Sequence, residues 1–289
     1  MSRAPGPVRR WVEAARPRTL PASLVPVAVG AALVRPAPLA WVSTGLCALV
    51  AVALQVGTNY ANDFADGVRG TDAVRVGPFR LTASRLVPAA RVRAAAWLCF
   101  GVAAGAGVAL AARTSWWLVP VGATAVLAGW FYTGGPKPYG YYGYGELFVM
   151  VYFGFVATVG TAYVQHLRVP ASAWWFALAT GSMACALLEA NNLRDVQGDR
   201  VAGKRTLAAR LGRHRASWLY LACVTGAVIG VALGGEPLVG LCVLVAYLPA
   251  LRLAFSARAG RDLVPLLVAT ARVQLAVGVA LVAVFFATR

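Results

Sequence analysis

A series of long apolar runs, each about 15 to 24 residues, recurs from near the N-terminus to the C-terminus and is interrupted by polar connectors containing Gly and Pro. A water-soluble domain has no core large enough for such a succession. In lipid every backbone amide needs an internal partner, so the runs are expected to be helices. Reading along the chain places nine of them at roughly 19–34, 39–61, 89–112, 115–133, 146–166, 171–192, 215–234, 238–255 and 264–287. The expected fold is all-α: a multi-span transmembrane bundle of about nine helices, with residues 1–289 forming one transmembrane domain. Its 60% hydrophobic and 13% charged composition agrees.

A net charge of +17 raises the question of a nucleic-acid partner, and the positions of the charges answer it. With the N-terminus inside, the inner segments hold Arg3, Arg9, Arg10, Arg16 and Arg18, then Arg69 to Arg93, Lys137, Arg194 to Arg215, and Arg252, Arg258 and Arg261. That is twenty-two basic residues, against Arg35, Arg113, Arg168 and Arg289 outside. Such a bias orients a membrane protein, predicts an odd number of spans with the C-terminus outside, and leaves no surplus to point to nucleic acid. Arginine outnumbers lysine 25 to 2, which suggests a GC-rich bacterial genome and hence a bacterial cell membrane. Cys47, Cys99, Cys185, Cys223 and Cys242 all lie in apolar runs without CxxC spacing, and are expected to be small buried side chains. The N-terminal segment lacks the pattern of a removable signal peptide.

The scarce negative charge is gathered in two places. NYANDFADG ends the second run and NNLRDVQGD ends the sixth; with Asp72 just beyond the first, they hold five of the ten acidic residues. Asn59, Asp63 and Asp66 are spaced i, i+4, i+7, and Asn191, Asp195 and Asp199 i, i+4, i+8, so each trio shares a face if its helix continues. Gly67 and Gly198 suggest that both helix ends unwind. Isolated acids would be solvated charges balancing nearby arginines, but two phased clusters at matching span ends point to a shared site. They also hint at two related four-helix halves plus a ninth helix.

Carboxylate and amide oxygens are hard ligands that suit Mg2+, which usually keeps waters and is completed by substrate phosphate. Asp63, Asp66, Asp72, Asp195 and Asp199 are the candidate metal ligands, with Asn59, Asn191 and Asn192 beside them. Of the neighbouring cations, Arg80, Lys204 and Arg205 are candidates for phosphate contacts, as is Arg75 with less weight. A third inner connector, YTGGPKPYGYYGYGE, offers Lys137, Tyr132, Tyr139 and Glu146 to a loop that closes over substrate, although its tyrosines also suit a membrane-interface belt. Glu189, Arg272 and Gln274 are polar groups within spans and are expected to face the bundle interior.

Together with WVEAARPRTLPASLVPVAVG and VGPFRLTAS, these motifs resemble the UbiA superfamily of intramembrane prenyltransferases, and within it the menaquinone-pathway (MenA) branch. The resemblance runs through nearly the whole chain. It implies that Asn59, Asp63, Asp66, Asp72, Asp195 and Asp199 hold Mg2+ and the diphosphate of a polyprenyl donor, and that Lys137 lies near the reaction centre, giving Lys137, Asp63 and Asp195 catalytic roles. One departure is Gly70, where the commoner pattern has an acid; Asp72 follows two residues later. The implied reaction joins the isoprenoid to 1,4-dihydroxy-2-naphthoate with loss of diphosphate and carbon dioxide, giving demethylmenaquinone. A hydroxybenzoate, homogentisate or porphyrin-type acceptor would use the same metal site. A secondary transporter is the alternative from another class, disfavoured because both acidic clusters lie at one face rather than at the midplane.

Overall fold

A computed structural model describes residues 6–35, 37–71 and 80–288; Asp72, Arg75 and the terminal Arg3 and Arg289 lie outside the described residues. The described chain is all-helical. A short helix α1 (Pro7–Ala14) is followed by α2 (Pro21–Ala32), α3 (Trp41–Arg69), α4 (Ala89–Arg113) and α5 (Leu118–Phe131). Then come α6 (Gly145–His166), α7 (Ser172–Val201), α8 (Leu207–Leu233), α9 (Pro237–Ala254) and α10 (Val264–Thr288). Seven of these are long and apolar enough to cross a membrane, and α2 and α5 are shorter apolar helices. Helices α2 to α10 match the nine runs in order.

The largest differences from the runs are at the motifs. Helix α3 does not unwind at Gly67 but continues to Arg69, and α7 passes Gly198 to reach Val201. Tertiary packing overrides the low helical propensity of glycine at the first of these: a Cβ on Gly67 would lie 2.5 Å from the Thr82 side chain, so only Gly lets the following connector fold back onto the helix. Helix α8 begins at Leu207, ahead of the apolar run, because Thr206 caps it by accepting from Ala209 N–H, and it breaks at Gly212. Helix α1 fell outside the nine runs. Its Val8 and Val12 are exposed, Arg9 pairs with Glu13, and Trp11 meets Tyr60 of α3 edge-on with ring centroids 5.4 Å apart.

The motif helices organise the bundle. Helix α3 packs most extensively on α4, and α7 on α8, so each motif heads a helix pair. Helix α7 runs through the interior, and the principal core cluster gathers around it, with Phe176, Met183, Tyr220 and Phe285 almost wholly buried. In lipid, helices associate by close packing, which favours small residues at their contacts. Helices α6 and α7 meet in this way: a Cβ on Gly154 would lie 2.7 Å from the Ala177 carbonyl and 2.9 Å from Gly181 Cα. This contact falls in a π-helical segment of α6, Met150–Val156.

Two expectations about polar residues need correction. Glu189 and Gln274 are fully buried, but Arg272 is exposed on the outer surface of α10, where a long side chain can keep its charge toward the headgroups. Cys47 and Cys185 are buried and Cys99 and Cys223 half-buried, whereas Cys242 is exposed, a position that an apolar thiol tolerates facing lipid.

Gly154→Ala is expected to lower the thermal midpoint of the purified protein, by the equivalent of about 1–3 kcal/mol of overpacking. Gly160→Ala, on the same helix with open space beside it, should leave the midpoint unchanged or raise it slightly. Equal effects of the two changes would contradict the α6–α7 contact.

Candidate active site

Asp66 stands where three connectors meet. Its Oδ2 accepts a hydrogen bond from Lys204 Nζ at 2.8 Å, and its Oδ1 accepts one from the Tyr141 hydroxyl at 2.5 Å. Lys204 follows the second motif and Tyr141 belongs to the connector between α5 and α6, so one carboxylate gathers segments far apart in the chain. The Lys204 and Asp66 side chains are 6% and 2% exposed, so the pair is buried. Lys204 also lies over the Tyr141 ring, 4.7 Å from its centroid, and Arg205 N–H donates to the Tyr141 carbonyl at 2.8 Å. Burial and the Asp66 carboxylate push the Tyr141 phenol well above its usual range, so the hydroxyl remains a donor. Arg69 reinforces the junction by donating to the carbonyls of Thr133 and Gly135, and the Thr133 hydroxyl donates to Asn62 Oδ1 at 2.6 Å.

The other motif acids are arranged differently. Asp63 is buried and accepts from the backbone N–H groups of Leu81 and Thr82 at 2.8 and 2.9 Å, so it holds the connector after α3. Asp195 accepts two hydrogen bonds from its neighbour Arg194, each 2.7 Å, in a buried fork. Asp199 accepts from the Thr206 hydroxyl at 3.4 Å, and its backbone carbonyl accepts from Lys204 N–H. Asn59 donates to the Ala15 carbonyl at 2.9 Å, fixing the segment after α1.

Two cavities adjoin at this end of the bundle. The first, about 620 Å3, is polar: Asp66, Asp199, Arg80, Lys204 and Arg194 line it, with Arg16, Arg18 and Arg261 also on its wall. The second, about 670 Å3, is apolar and runs along the helices, lined by residues from Thr19 and Asn59 to Leu118 and Trp174. The π-helical segment contributes Tyr152, Phe153 and Phe155 to its wall. Tyr132 and Asn191 line both cavities, Asn192 the polar one and Tyr139 the apolar one. The Tyr139 ring stacks on Phe148 with centroids 3.9 Å apart, its hydroxyl donates to the Ala128 carbonyl, and burial pushes its phenol up. Glu146 accepts from Asn192 Nδ2 at 2.9 Å, and Asn191 donates to the Leu187 carbonyl at 3.4 Å.

The predicted site residues therefore separate. Asp66, Asp199, Arg80, Lys204, Tyr132, Asn191 and Asn192 share the polar cavity, whereas Asp63 and Asp195 stand behind its wall. Lys137 and Arg205 are exposed and line neither cavity. Sequence reasoning assigned Arg16, Arg18, Arg194 and Arg261 to topology alone, and took Tyr141 only as one of the third connector's tyrosines, suited equally to a closing loop and to a membrane-interface belt. The one sequence signal for the first two was ARPRTLP, a pair of arginines alternating with prolines just before a span. As to the metal, the donor set suits a hard cation: Asp66 and Asp199 line a cavity whose other charged residues are five arginines, Lys204 and Glu13, the last paired with Arg9, leaving phosphate and water to complete a Mg2+ shell.

Residues 23–265 match the UbiA prenyltransferase family. The chain is 47% identical to 1,4-dihydroxy-2-naphthoate octaprenyltransferase of Mycobacterium tuberculosis, covering 89% of this chain and 90% of the relative. Against the Escherichia coli enzyme of the same name the identity is 34%, over 77% and 75% of the two chains. In fold it is similar to a UbiA homologue from Archaeoglobus fulgidus bound to DMAPP and Mg2+, with a TM-score of 0.67, 15% identity, and 95% and 99% of the two chains covered.

Breaking a buried ion pair from one side costs about 3–5 kcal/mol. Lys204→Met and Asp66→Asn should each destabilise the detergent-solubilised protein to about that extent in a chaotrope titration, and the double variant should lose less than the sum. Strictly additive losses would contradict the pairing.

Proposed function

The chain belongs to the UbiA prenyltransferase family, and on that premise we propose that it transfers a polyprenyl chain from its diphosphate to 1,4-dihydroxy-2-naphthoate. The reaction releases diphosphate and carbon dioxide and gives the prenylated naphthalenediol, the quinol form of demethylmenaquinone. The protein acts in a bacterial cell membrane, with the N-terminus and the motif-bearing connectors on the cytoplasmic side. The observation that carries this proposal is the adjoining pair of cavities, one rich in cations around Asp66 and Asp199 and one long and apolar, meeting where a diphosphate would join its hydrocarbon tail.

The donor's diphosphate lies in the polar cavity, where Arg80, Lys204 and Arg194 face it with charge-assisted hydrogen bonds. Asp66 and Asp199 would hold Mg2+, which when bound supplies charge neutralisation on the leaving diphosphate. Asp63 and Asp195 keep the connector and Arg194 in place around them. Lys204 then exchanges its bond to Asp66 for one to phosphate, and Tyr141 keeps its hydroxyl on the carboxylate. The polyprenyl tail follows the apolar cavity. As the bond from carbon to diphosphate oxygen breaks, positive charge spreads over the allyl group in a space walled by Tyr132 and Tyr139, from which the apolar lining excludes water. The electron-rich ring attacks the allylic carbon through the ring carbon that bears the carboxylate, and the electron pair of the bond to the carboxylate returns to the ring as carbon dioxide leaves, so that the ring proton count is unchanged.

Purified protein given a polyprenyl diphosphate and the naphthoate should release diphosphate and carbon dioxide in equal amounts when Mg2+ is present and neither after chelation. Asp199→Asn should lower turnover about a hundredfold or more, in keeping with several kcal/mol of electrostatic stabilisation. Turnover that ignores both chelation and Asp199→Asn would refute the proposal, and a panel of other aromatic acids in the same assay tests the identity of the acceptor.

A further inference from the structure

The polar and apolar cavities share six lining residues: Arg16, Thr19, Asn62, Tyr132, Leu188 and Asn191. Of these six, Arg16 alone is charged. A prenyl diphosphate bridging the cavities has its reacting carbon at this boundary, so the aromatic ring that attacks it must lie there too.

The chain goes to some length to place Arg16 at this position. Its backbone is left-handed, with φ 56° and ψ 64°, which is unfavourable for a residue with a Cβ and persists only where the surroundings impose it. Bonds on both sides impose it here. The carbonyl of Ala15 accepts from Asn59 Nδ2 at 2.9 Å, and that of Arg16 accepts from Thr19 N–H and Oγ1, both at 3.0 Å. Gln55 Nε2 donates in turn to Thr19 Oγ1 at 3.3 Å, so two side chains of α3 secure the segment. Arg16 lines both cavities, and the terminal Nη2 of its guanidinium is buried.

We propose that Arg16 binds the carboxylate of the aromatic acceptor, a proposal that rests on the prenyl-transfer function above. The guanidinium fork matches a carboxylate in two parallel hydrogen bonds, and the planar group orients the ring to which the carboxylate is attached. The diphosphate has other cations: Arg80, Lys204 and Arg194 face the polar cavity but do not reach the apolar one. Around Arg16 the shared boundary is otherwise neutral amide, hydroxyl, phenol and Leu. An acid entering there meets one cation, and that cation selects acceptors with a carboxylate on the reacting carbon.

The test measures binding and turnover with 1,4-dihydroxy-2-naphthoate and with its carboxamide, in the unaltered protein and in Arg16→Gln and Arg16→Lys. The unaltered protein should bind the carboxylate at least tenfold tighter than the carboxamide without donor present. Arg16→Gln should abolish that preference and raise the acceptor KM ten- to a hundredfold, with the KM for the polyprenyl diphosphate within twofold; Arg16→Lys, which keeps the charge and loses the fork, should fall between. A rise confined to the donor KM would overturn the proposal by assigning Arg16 to diphosphate, and unchanged constants for both substrates would overturn it outright. If the variants do not fold, the unaltered protein decides: equal binding of carboxylate and carboxamide rules Arg16 out as a carboxylate clamp. Absence of prenylated product from the unaltered protein with any aromatic acid would instead refute the parent function, whatever the binding preference.

Discussion

A carboxylate buried at the end of a membrane helix demands a cation, and the Asp66–Lys204 pair meets that demand with a residue 138 positions away in the chain. Much of the arrangement around the cavity follows from this one interaction. Lys204 reaches Asp66 only if the end of α7 lies beside the end of α3, and Tyr141 reaches the same carboxylate only if the third connector folds between them. Irregular backbone at membrane depth is tolerated where it is buried in protein or lines a cavity, and these connectors converge where both conditions hold. On the proposed function, the interaction that orders the connectors is also the one that substrate disturbs, because Asp66 lines the polar cavity.

The acidic residues divide the work of the site. Asp63 and Asp195 bind backbone amides and a guanidinium and do not line the cavity, while Asp66, held by Lys204 and Tyr141, and Asp199 do. Asn59 holds the segment carrying Arg16 and so extends the first motif's reach to the boundary between polar and apolar cavities. On this proposal, the phased residues of the first motif form a graded series along α3: Asn59 anchors the N-terminal segment, Asp63 anchors the connector, and Asp66 meets the ligand.

Much of this was legible in the sequence where periodicity and burial act together. Nine apolar helices follow from apolar run lengths, because a lipid-buried backbone has few alternatives to a helix, and the two motifs at matching span ends anticipate that Asp66 and Asp199 share a cavity, whereas the shared helical face did not bring the i+4 members Asp63 and Asp195 to it. What escaped depended on partners distant in the chain. Gly67 read as a helix breaker because nothing local shows that Thr82 occupies the space beside it. Arg16 read as a topology charge because its place at the cavity boundary depends on Asn59 and Gln55 of another helix. Arg272 read as an interior group because its helical phase within an evenly apolar run gives no sign of which face meets lipid. Helix α1, only eight residues long, was too short for a span pattern to register.

The central claim is that Asp66 and Asp199 form the metal and diphosphate end of a substrate channel whose apolar part begins at Tyr132 and Asn191. Its most direct measurement is a diffraction experiment on the protein with Mn2+ in place of Mg2+ and a polyprenyl thiodiphosphate that resists cleavage, using the anomalous signal to place the metal. The account predicts an anomalous peak in direct contact with Asp66 and Asp199, Lys204 turned toward phosphate, and the first carbon of the tail at the junction of the two cavities. A metal peak remote from both carboxylates, or a tail lying outside the apolar cavity, would contradict it.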